Sequence, residues 1–349
     1  MPTIASVTPD EASEKLGAFL QREHAAKKVR VENMRLLTGG ASRQTWSFDA
    51  TVEHADGRSE TLALVARADP RVGVNTMSRE TEYRVLQAAY DAGVPVPRMH
   101  LLGDDSLGVP FFLMDHVEGE TIARRILRDD QYAEGRKVMA SQLGEIAAAI
   151  HRVPLDTPGL AKLPQTELGL TPAETELARI EATYRSITLD PHPAYELAFR
   201  WLKRNVPPQS DLTLVHGDYR MGNLIVGPEG VRSVLDWELA HIGDPMEDFG
   251  FLCVRSWRFG NDHLPVGGVG QREELYAAYE RAGGRKVDPQ VQRWWEILGN
   301  LRWGIICIMQ ARAYLDGLSK SVELATIGRR TAETEWELME LLGAGSEQG

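Results

Sequence analysis

Four polar residues past the middle of the chain are placed where they could move a phosphoryl group. In LVHGDYRMGNLIV and the later VLDWELAHIGDP, His216, Asp218, Asn223 and Asp236 fall on short sequential elements. Asp218 and Asn223 are five positions apart and Asp236 follows thirteen later, the order of carboxylate base, metal ligand and metal ligand used in kinase-type transfer. Transfer to an alcohol needs a carboxylate near the attacking hydroxyl and oxygen ligands that hold Mg²⁺ against a triphosphate. An Asn and an Asp, completed by phosphate oxygens, suit that hard cation. Taken alone, His-Gly-Asp would serve equally well as a turn. Asn223 and Asp236 at these intervals favour the catalytic reading, with His216 organising the loop because Asp218 already supplies the base.

Such residues need a rigid platform. LTLVHGD reads as a strand entering a loop, NLIVG as the next strand and SVLDWE as a third whose end presents Asp236, together one small sheet. Upstream, residues 10–28 suit a short amphipathic helix, and 29–37, 43–52 and 61–69 read as strands, the second alternating Trp46, Phe48 and Ala50. SRETEYRVLQAAYDAG carries apolar residues at helical spacing and stops at Gly93, after which VPVP forces an extended connection. FFLMDHVEG is a buried strand, and beyond residues 115–119 strands give way to helices. QLGEIAAAIHRV is an apolar helix, and Thr171, Pro172 and Glu174 make a capping box with proline at the first helical position. The expected organisation is α+β, with a first lobe over 1–115, a second over 116–349 and a helical insertion at about 155–208.

Bulk composition excludes several classes. The 349 residues are 43% hydrophobic, enough for a sizeable core, and a formal charge of −11 speaks against a nucleic-acid binder. Cys253 and Cys307 are too few for a disulfide framework or a cysteine-rich zinc site, so a reducing cytoplasm is the simplest setting. The opening residues lack the pattern of a secretory signal, and WGIICIM at 303–309 is too short to span a bilayer, so no membrane partner is expected.

HGDYRMGN, then LDWE, then GDPMEDFGFL resemble the aminoglycoside phosphotransferase family with its choline kinase-like and acyl-CoA dehydrogenase-linked relatives. The resemblance is most specific at 213–250. It implies a bilobal protein kinase-like fold, an antiparallel sheet plus helix in the N-lobe and a mainly helical C-lobe. It also implies Asp218 as catalytic base and Asn223 and Asp236 as metal ligands, with Gly243, Asp244, Pro245 and Asp248 buttressing the loop and His151 structural. Nucleotide contacts would come from Gly39, Gly40 and Ser42 in the 38–45 loop, from Arg67 paired with Glu82 (Glu80 being the alternative), and from a hinge at Met114, Asp115 and Val117. ATP is the expected donor because it is the commoner one.

For the acceptor, arginine beside tryptophan in CVRSWRFG and QRWWEILGNLRWG suggests an anion-binding surface with stacking faces. The candidates are Arg220, Glu238, Arg255, Trp257, Arg258 and Arg302, with a hydroxy acid or hydroxyacyl-CoA as the small-molecule acceptor. An aminoglycoside or amino alcohol is the alternative, and would call for converging carboxylates. A nucleotide-binding pseudokinase acting as an interaction module is the rival from another class.

Overall fold

A computed structural model describes residues 8–37, 44–69, 77–188, 190–208 and 211–343, so Gly39, Gly40 and Ser42 of the expected phosphate loop lie outside the described residues. The chain divides into two compact units. The first is residues 1–118 with 156–162 and 237–239, and the second comprises the remainder.

In the first unit, α1 (Pro9–Glu23) begins with a capping box in which the Thr8 hydroxyl accepts from Glu11 N–H and the Glu11 carboxylate accepts from Thr8 N–H. Then come β1 (Lys28–Leu37), β2 (Gln44–Glu53), β3 (Ser59–Ala68), α2 (Arg79–Asp91), β4 (Met99–Leu102) and β5 (Phe111–Asp115). The five strands form an antiparallel sheet in the order β1-β2-β3-β5-β4. Period-two alternation decides the core. Trp46, Phe48 and Ala50 of β2 and Leu64, Ala66 and Ala68 of β3 cluster with Leu16, Phe19 and Leu20 of α1. Gly93 has φ 83° just past α2, the left-handed stop that glycine permits. The stretch expected to be only an extended connection continues into β4, which gains its strand character by pairing with β5.

In the second unit, α3 (Ala123–Arg128) and α4 (Ala133–His151) are followed by α5 (Pro172–Ile187) and α6 (Pro193–Arg204). α5 starts with the Thr171/Glu174 capping box and Pro172. α6 buries Tyr195, Ala198, Phe199 and Leu202, one stripe at helical spacing. Four short strands follow: β6 (Thr213–Val215), β7 (Leu224–Gly227), β8 (Gly230–Val234) and β9 (His241–Gly243). Here the structure corrects the single small sheet, because β6 pairs with β9 and β7 with β8 as two separate ribbons. The unit closes with α7 (Met246–Leu252), α8 (Arg272–Arg281), α9 (Pro289–Leu315), α10 (Val322–Ile327) and α11 (Thr331–Leu341). The WGIICIM run lies within α9, and no helix among the described residues is long and apolar enough to cross a membrane.

Candidate active site

β6 delivers the chain into His216-Gly217-Asp218, and the buried carboxylate of Asp248 on α7 holds that loop. Asp248 Oδ2 accepts the His216 N–H and Oδ1 accepts the Gly217 N–H, both at 3.0 Å. Gly217 has φ 78°, a left-handed turn that suits glycine. The same Oδ2 lies 3.0 Å from His151 Nε2, and His151 Nδ1 lies 3.0 Å from the Tyr279 hydroxyl. Burial works to raise the Asp248 pKa, but the hydrogen bonds it shares with His151 and accepts from the His216 N–H bring it below the usual carboxylate range. The GDPxxD segment is therefore a brace for the loop. Asp244 contributes by accepting the Met246 N–H at 2.8 Å, at the start of α7.

His216 is buried. Its Nε2 lies 3.0 Å from the Leu235 carbonyl and its Nδ1 accepts the Asp218 N–H at 3.1 Å. Those partners assign the neutral tautomer with the proton on Nε2, and burial pushes the imidazole pKa below its ordinary value. His216 thus ties the base's own backbone to the strand end before Asp236.

Asp218 is half-buried, with Oδ1 accepting from Arg220 Nε at 2.9 Å and Oδ2 from Asn223 Nδ2 at 2.6 Å. Asn223 Nδ2 also donates to the Asp218 carbonyl at 2.9 Å. With the amide nitrogen engaged there, Oδ1 is the atom Asn223 can offer a cation. The β7–β8 ribbon sets the spacing to the second ligand, since Leu224 pairs with Val234 and the Leu235 N–H donates to the Asn223 carbonyl at 2.8 Å. Asp236 follows at once with φ 66°, a left-handed conformation tolerated by aspartate and concentrated at functional sites. An amide oxygen and a carboxylate on the ends of one ribbon are donors that Mg²⁺ takes, so these residues fit the ion.

A family model for the phosphotransferase enzyme family matches residues 33–294. The chain belongs to that family. This phosphotransferase is 34% identical over 184 residues to mouse acyl-CoA dehydrogenase family member 10, a match covering 50% of the chain and 16% of that protein. With rat acyl-CoA dehydrogenase family member 11 it shares 28% identity over 235 residues, covering 62% of the chain and 28% of the relative. It therefore spans less than a third of the curated relatives it matches. Among solved structures, a candidate aminoglycoside phosphotransferase from Ralstonia eutropha JMP134 is 26% identical with a TM-score of 0.71, covering 94% of this chain and 98% of that one. A spectinomycin phosphotransferase, solved with ADP and spectinomycin, is 13% identical with a TM-score of 0.62 over 94% and 98% of the two chains, and shares the fold. The kinase-like α+β fold and the phosphotransferase class are thereby those read from the sequence.

In the first unit of the phosphotransferase, Arg67 on β3 lies with Nε 2.9 Å from Glu82 Oε1 on α2. Glu80 instead meets Lys162 at 3.1 Å on the surface. Sequence reasoning missed Arg79, a fully buried guanidinium that also pairs with Glu82 and reaches Asp69 at 2.5 Å. Its signal was the arginine three positions before Glu82 on one helix face. At the hinge, Met114 is paired within the sheet, the Asp115 N–H donates to the Arg98 carbonyl and the His116 N–H to the Ala63 carbonyl, each at 2.9 Å. Val117 makes no backbone hydrogen bond among the described residues.

The acceptor candidates separate. Glu238 lies half-buried on the 3₁₀ turn Trp237–Leu239, which belongs to the first unit. Arg258 is buried against Glu296 at 3.1 Å, and Arg302 reaches Glu247 at 3.0 Å. Arg255 pairs with Asp262 at 2.6 Å and lies 4.2 Å over the Trp336 ring, on the wall of a 510 Å³ cavity that also carries Arg330, Glu333 and Glu337. Each of these arginines is matched by a carboxylate, Arg258 in the interior, Arg302 half-buried and Arg255 near the surface. Arg220 differs. Its guanidinium lies 4.8 Å over the buried Trp257 ring and, among the described residues, its one hydrogen bond is to the base.

Proposed function

We propose that this phosphotransferase uses ATP and Mg²⁺ to move the γ-phosphoryl group to a hydroxyl of a small molecule, with Asp218 as the base. The observation carrying this reading is the state of that carboxylate. An ionised carboxylate has about four lone-pair sites, and Asp218 uses Oδ1 for Arg220 and Oδ2 for Asn223. Both oxygens retain capacity for the proton of an incoming hydroxyl, and the side chain remains 16% exposed. The Asp248 brace and the His216 tie hold it at one place, and orientation of this kind can be worth roughly 7 to 11 kcal/mol of barrier.

Asn223 and Asp236 would hold Mg²⁺, which when bound neutralises charge on the phosphate oxygens. In the first unit, Arg67 steadied by Glu82 would take phosphate oxygens, with the guanidinium favouring a two-pronged contact. Gly39, Gly40 and Ser42 would cover the phosphates, and the hinge at Met114, Asp115 and Val117 would meet adenine, Val117 offering its backbone. On this reading residues 1–115 serve the nucleotide and 116–349 the chemistry and the acceptor, in a reducing cytoplasm that suits two free buried cysteines.

The test is Mg-ATP consumption by purified protein across hydroxy acids, hydroxyacyl-CoAs, amino alcohols and aminoglycosides. Asp218→Asn is expected to turn over about 10²-fold more slowly or worse while still binding ATP. Wild-type rates in that variant would remove Asp218 from the role of base.

A further inference from the structure

We propose that Arg220 is the acceptor-recognition residue, a guanidinium held beside the base to bind a carboxylate, or an equivalent anionic group, on the molecule that carries the reacting hydroxyl. This rests on the reading of Asp218 given above and adds to it the chemical class of the acceptor.

Three independent features place the Arg220 side chain. Its Nε donates to Asp218 Oδ1 at 2.9 Å. Its guanidinium carbon lies 4.8 Å from the centroid of Trp257, a ring itself fixed by Trp303 at 4.7 Å and Phe251 at 5.5 Å. Its Nη1 occupies the space that a Cβ on Gly222 would take. A long flexible side chain held on three sides has already lost the freedom that binding would otherwise cost.

What remains available is the recognition edge. Among the described residues the two terminal amino groups of Arg220 make no hydrogen bond, whereas Arg255, Arg258 and Arg302 each meet a carboxylate other than the base. A guanidinium presents five N–H donors in a rigid plane, and its terminal edge matches the two oxygens of a carboxylate. A group bound on that edge would lie across the guanidinium from the base, so a hydroxyl on the same small molecule could be presented to Asp218. A polycation would be repelled by the same charge.

The experiment is calorimetric titration of the full chain, saturated with Mg-ADP, with β-hydroxybutyrate and its methyl ester, which differ in the anionic charge. Wild type is expected to bind the acid about tenfold to a hundredfold more tightly than the ester, the range for hydrogen bonds to charged groups. Arg220→Gln should bring the two affinities together by weakening the acid, and Arg220→Lys, a charge without the fork, should restore part of the difference. Equal affinities in wild type, no binding of the acid, or a preference that survives in Arg220→Gln would overturn the proposal. So would equal kcat losses on acid and ester with binding unchanged, which would assign Arg220 to the transferred phosphoryl group. Asp218→Asn should keep the acid preference; if it also keeps turnover, the base assignment fails while Arg220 stands.

Discussion

Arg220 is only as well placed as Gly222 allows. A methyl at 222 would collide with the far end of the Arg220 side chain, not with backbone, so the arginine would move and the fold would not. Gly222→Ala is therefore expected to melt within a few degrees of wild type while losing roughly three- to tenfold of its preference for a hydroxy acid over the ester, a cost of about 1 kcal/mol for one disturbed charge-assisted contact. Calorimetric titration and a thermal melt on the same preparation check both halves. A variant with full discrimination would mean that Trp257 and Asp218 suffice to hold the guanidinium. This scale was also the least legible in the sequence. Asp218, Asn223 and Asp236 could be singled out because their spacing is local, but the partners of the candidate arginines could not. Glu296 lies 38 positions from Arg258 and Glu247 lies 55 from Arg302, so only tertiary packing reveals that those charges are already matched.

Elements set where Asp248 stands, and the tightest constraint on them is a glycine. α7 crosses α9 with Gly250 against Trp295, where a Cβ would overlap the Trp295 backbone itself. Backbone on a 27-residue helix cannot give way as a side-chain tip can. Gly250→Ala should force α7 outward, cost about 1 to 3 kcal/mol of stability by overpacking, and carry Asp248 off the His216 and Gly217 N–H groups. Urea denaturation would register the first effect. The second would appear as lower kcat with little change in nucleotide affinity, and unchanged kcat would show that the loop holds without close α7–α9 packing. Elements with strong periodicity or caps, such as α1, β2 and α5, were readable from residues 10–28, the Trp46/Phe48/Ala50 alternation and the Thr171 capping box. β4 and β9 were not, because each gains its strand character from pairing with a distant partner, β5 or β6. The same limit turned two ribbons into one expected sheet.

At the scale of the whole molecule, acid should act through the second unit's buried carboxylates. Asp248 titrates below the usual range in the folded chain, so its ionised form stabilises the fold fully at any pH above its unfolded value of about 3.9. That contribution is lost as pH falls through the lower, folded-state pKa. The loss coincides with neutralisation of the other acids, when 39 Lys and Arg and 9 His remain to repel one another. Removing the charge at neutral pH leaves His151 and two N–H groups without their anion, so Asp248→Asn should cost about 3 to 5 kcal/mol at pH 7. The gap between variant and wild type should then narrow as pH drops below about 4, because the wild type loses there what the variant never had. Tryptophan fluorescence suits the measurement, since of the eight tryptophans all but Trp46 and Trp237 belong to the second unit. Denaturant titrations from pH 7 to about pH 3 would give the two curves. Parallel curves would mean that Asp248 is not the group whose protonation opens this unit, and Glu247, held low against burial by His241 and Arg302, would be the next residue to replace.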